Sequence, residues 1–239
     1  LGLQDKMSGA LSGATKNLGA FGKAGLAIGA GAAAGVAAAT SAYAGFEQQL
    51  SNVKAVSGAT EAEIAKLGAA AKQIGIDTTF SSKEAAGAFV ELSKAGISTT
   101  NILGGVGRAA VDLAAAGELD MATASEIASA AINPFKLEAK DAAHVADLLA
   151  AAASSTATDV FQAGESLKIL GPAASTAGVS IDDAVTSVGA LAKIGITGAE
   201  AGTALQTALL RLSAPANVAR AKMDELGIEI FDAQGNIKS

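Results

Sequence analysis

The stretch FSSKEAAGAFVELSKAGIS, residues 80–98, decides the fold. Ser81 and Glu84 stand three residues apart. At that spacing a serine hydroxyl caps a helix and the acid reaches back to the serine's own N–H. Phe89 and Leu92 follow on one helical stripe. Gly96 then stands where a helix stops, because glycine enters the left-handed conformation without strain. Cap, stripe and stop agree, and they predict a short glycine-ended helix.

The arrangement recurs. At an ungapped offset of 99, residues 179–197 read VSIDDAVTSVGALAKIGIT, matching Ser81 to Ser180, Glu84 to Asp183, Leu92 to Leu191, Lys94 to Lys193 and Gly96 to Gly195. This is an internal repeat. Two copies are too few to make a solenoid.

Outward from this pair the same punctuation predicts further helices. Thr60-x-x-Glu63 opens one striped by Ile64, Leu67, Ala71 and Ile74 and closed by Gly75. A helix at about 100–116 turns Ile102, Val106, Ala110 and Leu113 inward and ends at Gly117. Asp120 caps the next, which should end at Asn133 because Pro134 disfavours helix in the residue before it. Residues 138–153 follow, striped by Val145, Leu148 and Leu149, and then 159–170, stopped by Gly171-Pro172. A short turn reaches Gly178, Thr197-x-x-Glu200 opens another helix, and Ser213 with Pro215 begins the last, ended by Gly227. In the tail, Ile228, Ile230 and Ile237 flank Asp232–Asn236, which predicts a small β-hairpin. The expected fold class is all-α: a multi-helix core over residues 47–239, a terminal hairpin, and a separate N-terminal segment, 1–46.

That segment opens with Leu3, Met7, Leu11, Leu18 and Phe21 at helical spacing, which suits a core-facing helix or a bundle seam equally. Between Lys23 and Glu47 lie 23 residues without a formal charge, about the length that spans a bilayer core. Gly25 and Gly29, then Gly31 and Gly35, have the small-residue spacing that brings helices backbone to backbone. These four are the candidate helix-packing residues, serving either membrane insertion or a helix buried in protein.

Composition points the same way. Hydrophobic residues make up 50% but aromatics only 3%, with one Tyr and no Trp. Burial stabilises in proportion to apolar area, so such a core gains little per residue and needs neighbours. With 28 Gly and 3 Pro, short glycine-capped helices fit better than disorder. The net charge is −6 and basic residues are isolated, which argues against specific nucleic-acid binding. The absence of Cys excludes disulfides and thiolate metal sites. No secretory signal precedes the core, and both ends read as cuts from something longer.

Catalytic machinery is not evident. His144 is the single histidine and falls mid-helix, so neither a nucleophile–His arrangement nor a two-His metal site can be built. The acid pairs Glu61/Glu63, Glu118/Asp120 and Asp182/Asp183 sit at caps, first turns or linkers, where the helix dipole accounts for them. Gly104-Gly105-x-Gly107 lacks the preceding strand of a phosphate loop, and close helix packing accounts for it better. No catalytic, cofactor or metal residue is expected.

Several passages then carry a family likeness. FEQQLSNVKAVSGAT (46–60), DTTFSSKEAAGAFVELSKAGIS (77–98), GPAASTAGVSIDDAV (171–185), GITGAEAGTALQTALLRLSAP (195–215) and LGIEIFDAQGNIKS (226–239) resemble the core of phage tail tape-measure proteins. The resemblance implies a non-enzymatic tail component, lying in the tail lumen or tip. Such a component acts in length determination, assembly and genome ejection. It also implies self-association, a trimer being one form, contact with tail tube and tip proteins, and a host-membrane role during infection that would draw on residues 24–46. A straight helix of 239 residues would reach about 360 Å. Glycine stops fold this part back on itself, so it is not the measuring portion.

Overall fold

The computed structural model describes residues 25–230, with side chains from residue 41. By its contacts the chain divides into two units, Leu1–Glu47 and Gln48–Ser239. Of the first, the described part is the beginning of helix α1, Gly25–Ser57. The expected helix carrying Leu3, Met7, Leu11, Leu18 and Phe21 lies outside the described residues.

The second unit continues with α2 (Glu61–Asp77) and α3 (Ser82–Lys94). A single turn, α4 (Thr99–Asn101), leads through a wide π-type turn, Ile102–Val106, into α5 (Gly107–Gly117). Then come α6 (Met121–Phe135), a 3-10 turn at Ala139–Asp141, α7 (Ala142–Ser155), α8 (Val160–Thr176) and α9 (Ile181–Ala192). Helices α10 (Gly198–Ser213) and α11 (Asn217–Glu225) complete it.

Helix α8 forms the middle of this unit, flanked by α6 and α10, while α5 packs under α6 and α7. Phe89, Leu92, Leu113, Ile127, Leu149 and Leu167 are fully buried at the centre. Glycine makes up for the shortage of large side chains by letting helices touch. A Cβ on Gly164 would stand 2.5 Å from Ile127 Cγ1, and one on Gly202 2.6 Å from the Ser166 carbonyl oxygen. Side chains that close gain dispersion contacts that a core of this composition otherwise lacks.

The N-termini form as the cap spacings predict at Thr60, Ser81, Asp120 and Ser180, each of whose side chains accepts a backbone N–H of its first turn. Thr197 makes no such bond. Six of the described helices end by one recurring device: a left-handed residue, then an apolar residue whose N–H reaches back five positions. Ile97 bonds Leu92, Val179 bonds Ala174, Ile196 bonds Leu191 and Ile228 bonds Met223, after Gly96, Gly178, Gly195 and Gly227. Leu119 and Leu137 do the same, but there the left-handed residues are Glu118 (φ 50°) and Lys136 (φ 52°).

Several expected boundaries need correction. Gly75 does not end α2, which runs to Asp77. Its bare Cα instead admits Ser82, whose N would lie 2.7 Å from a Cβ. Helix α6 does not end at Asn133 but passes through Pro134. In a last turn proline removes a single hydrogen bond, and Asn133 Nδ2 ties the helix to the Ala95 carbonyl. Helix α8 likewise runs through Gly171-Pro172 rather than stopping, held by its neighbours α6 and α10. Ser213 closes α10 and does not open α11.

The terminal β-hairpin is also corrected. Among the described residues there is no strand, and 228–230, where its first strand was expected, are irregular. Residues 231–239 lie outside the described residues. An isolated two-stranded hairpin is marginal in water, and Ile228 stands exposed without a sheet to cover it.

The internal repeat is longer in three dimensions than in sequence. Helices α2 and α8 have 17 residues each, and α8 follows α2 by 99 residues at both ends. The same offset carries Ser81 onto Ser180, Gly96 onto Gly195, and the start of α4 at Thr99 onto the start of α10 at Gly198.

Candidate functional site

The polar groups that would build a reactive site are engaged in holding helices. His144 Nε2 lies 2.9 Å from Asp182 Oδ1, joining α7 to α9 at the surface. Asp183 accepts from the Ser180 hydroxyl, and Glu61 pairs with Lys54. Glu63 accepts from Thr60 and from the Thr99 hydroxyl, linking α2 to the start of α4. The backbone N–H of Thr60 holds the Glu63 carboxyl below the usual carboxylate range, and that of Ser81 does the same for Glu84. Asp120 is lowered by the N–H and hydroxyl of Thr123. These shifts come from helix capping rather than from burial beside a reactive partner. Lys168, raised chiefly by Glu165, also reaches Glu126 and so ties α8 to α6. Among the described residues no group of His, Asp and Glu could hold a metal ion.

Gly104, Gly105 and Gly107 line the π-type turn and serve close approach. A Cβ on Gly105 would lie 2.7 Å from the Ala139 carbonyl oxygen, and one on Gly107 2.5 Å from Phe89 Cε1. Gly105 adopts φ 140°, which a residue with a side chain rarely takes.

Gly25, Gly29, Gly31 and Gly35 all fall within α1. Among the described residues no helix is long and apolar enough to cross a membrane. The expected spanning segment, residues 24–46, falls largely on residues whose side chains lie outside the described ones.

What remains is a surface. Helix α10 sits on α8 at its beginning: Ser166 Oγ donates to the Gly198 carbonyl at 2.7 Å, and Gln206 Nε2 to that of Ile169 at 3.0 Å. Beyond Gln206 its apolar residues open to solvent. Leu210 is 57% and Leu212 41% exposed, followed by Val218 at 85% and Leu226 at 62%. This run of uncovered apolar side chains on consecutive elements is the feature best suited to a partner. Residue-by-residue reading missed it, because Leu205, Leu209 and Leu212 look like an ordinary inward stripe.

A family model described as phage-related minor tail protein matches residues 68–239. The chain is 36% identical over 192 residues to a tape measure protein of Pneumococcus phage Dp-1, a match covering 80% of this chain and 17% of that protein. It is 42% identical over 60 residues to a probable tape measure protein of Escherichia phage P2, covering 25% of this chain and 7% of the relative. The chain thus spans less than a fifth of the length of the curated relatives it matches. No solved structure matches.

Proposed function

Since this chain belongs to the phage-related minor tail protein family, we propose that it is a structural segment of a tape measure protein, acting within the phage tail in assembly, length determination and genome ejection. The observation that carries this reading is the alignment over 80% of the chain with a tape measure protein. The helical fold supports it: short helices joined by caps make a folded body rather than a ruler, so this segment is a compact portion of a longer protein. Its polar groups hold helices together, which fits a structural role rather than catalysis.

The partners in this reading are other copies of the chain and the proteins of tail tube and tip. Gly25, Gly29, Gly31 and Gly35 serve helix-to-helix packing in protein, since their spacing lets two backbones approach. Removing residues 61–213 in frame from the phage gene tests the role. The expected result is loss of normal tails, with intact heads. A second arm replaces Gly29 and Gly31 by leucine, which should lower the assembled mass of the purified chain. Tails of normal length and infectivity after the deletion would end the proposal.

A further inference from the structure

The two copies of the 99-residue repeat differ at one place on the surface. Helices α7 and α9 leave a groove of about 270 Å³ between them. Leu148 and Ala152 line it from α7, and Val185, Gly189, Ala190 and Lys193 from α9 and its end. In the first copy Val90 holds the place of Gly189 and Val53 that of Ala152, and both valines are buried. Glu91 holds the place of Ala190, and it pairs with Lys94 at 2.9 Å. At Gly189 and Ala190 the second copy therefore lacks a branched apolar side chain and the carboxylate beside it. There is room for the first: a Cβ on Gly189 would meet Thr156 Cγ2 at 3.5 Å, an ordinary contact. The lysine is kept, as Lys193.

What is missing defines what fits. Among the described residues Lys193 forms no ion pair, and it stands exposed at the rim of an apolar groove. A carboxylate that arrives with apolar atoms excludes water there, which strengthens the pairing. This chain's own acids are engaged. Among the described residues, the large exposed apolar side chains next to an acid are Ile76, Leu226 and Ile228. Asp77 accepts from Gln73 and faces Arg108, Glu225 holds Lys222, and Glu229 has a partner of its own. Those residues of a second copy thus offer no free acid–apolar pair. We propose that the groove between α7 and α9 receives a segment of a different tail protein, one that presents a branched apolar side chain beside a carboxylate. The apolar group lies over Gly189 and the carboxylate pairs with Lys193. This rests on the tail partners of the reading above and assigns one of them its face and its chemistry.

Amide NMR of the purified 239-residue chain tests the chemistry with 4-methylpentanoate as the probe, which joins a branched apolar end to a carboxylate. Saturable shifts are expected at Gly189, Ala190 and Lys193. The uncharged 4-methylpentanamide should bind about fivefold more weakly, the upper worth of a partly exposed ion pair. Lys193→Gln should weaken the acid by the same factor and leave the amide unchanged. Ala190→Glu, at an exposed position, rebuilds the first copy's pair and should remove the preference for the acid. Gly189→Val refills the apolar place and should block both probes, with circular dichroism verifying that each variant keeps its helices. No saturable shift at the groove, or equal affinity of the native chain for acid and amide, overturns the proposal while the tail role stands. In the phage, a photo-crosslinking residue at position 190 identifies the occupant. A crosslink to another tail protein, at an apolar residue next to an acid, is the expected result. In tails that contain the chain, crosslinks solely between its own copies, or none, overturn the proposal.

Discussion

At the scale of single residues, the helix ends show where the chain holds strain. Glu118 and Lys136 occupy left-handed conformations that glycine takes at Gly96, Gly178, Gly195 and Gly227. A side chain there costs roughly 1–2 kcal/mol. Glu118→Gly and Lys136→Gly should therefore each raise stability by about 1 kcal/mol, read as a higher urea midpoint at unchanged slope. Gly96→Ala and Gly195→Ala should lower it by a similar amount. The capping acids give a second expectation. Glu63, Glu84 and Asp120 have carboxyl pKa values lowered in the folded state by backbone N–H groups. A depressed folded pKa contributes stability that is present above the unfolded value and is lost as pH falls through the folded one. The melting temperature should thus hold near neutrality and drop as pH falls below about 4. In Glu84→Gln that drop should be shallower. A melting temperature that rises on acidification would contradict the capping account.

At the scale of elements, caps and stripes were readable because each depends on neighbours a few residues away. Thr60 with Glu63 and Ser81 with Glu84 form their boxes whatever the rest of the chain does. The misread boundaries share the opposite cause. Pro134 and Pro172 stay within helices because α6 and α8 are fixed by their packing, which no local spacing encodes. Gly75 looked like a stop and is a point of close return. The open face of α10 was likewise invisible locally, since whether a stripe is covered depends on helices far along the chain. The closest approach of a glycine to another element's backbone joins α8 and α10. At Gly202 a Cβ would meet backbone, the Ser166 carbonyl oxygen, rather than a movable side-chain end. Gly202→Ala should therefore destabilise by about 1–3 kcal/mol, the range for overpacking, whereas Gly87→Ala, with nothing within 4 Å of its Cβ position, should be neutral or better. Equal effects at the two sites would remove close packing as the reason for the glycine content.

At the scale of the molecule, small side chains, glycine contacts and a repeated helical unit make a body whose surface is unfinished. The tape measure proteins it aligns with are far longer, the matches covering 17% and 7% of them, and the exposed apolar run from Leu210 to Ile228 suits assembly. Assembly inside a tail is the central claim, and imaging the intact phage particle tests it most directly. A reconstruction should show short-helix density in the tail that accepts α2 through α10, with its glycine-closed turns, in more than one copy. A particle whose tail holds no such density, with the protein absent from purified tails, would contradict the account.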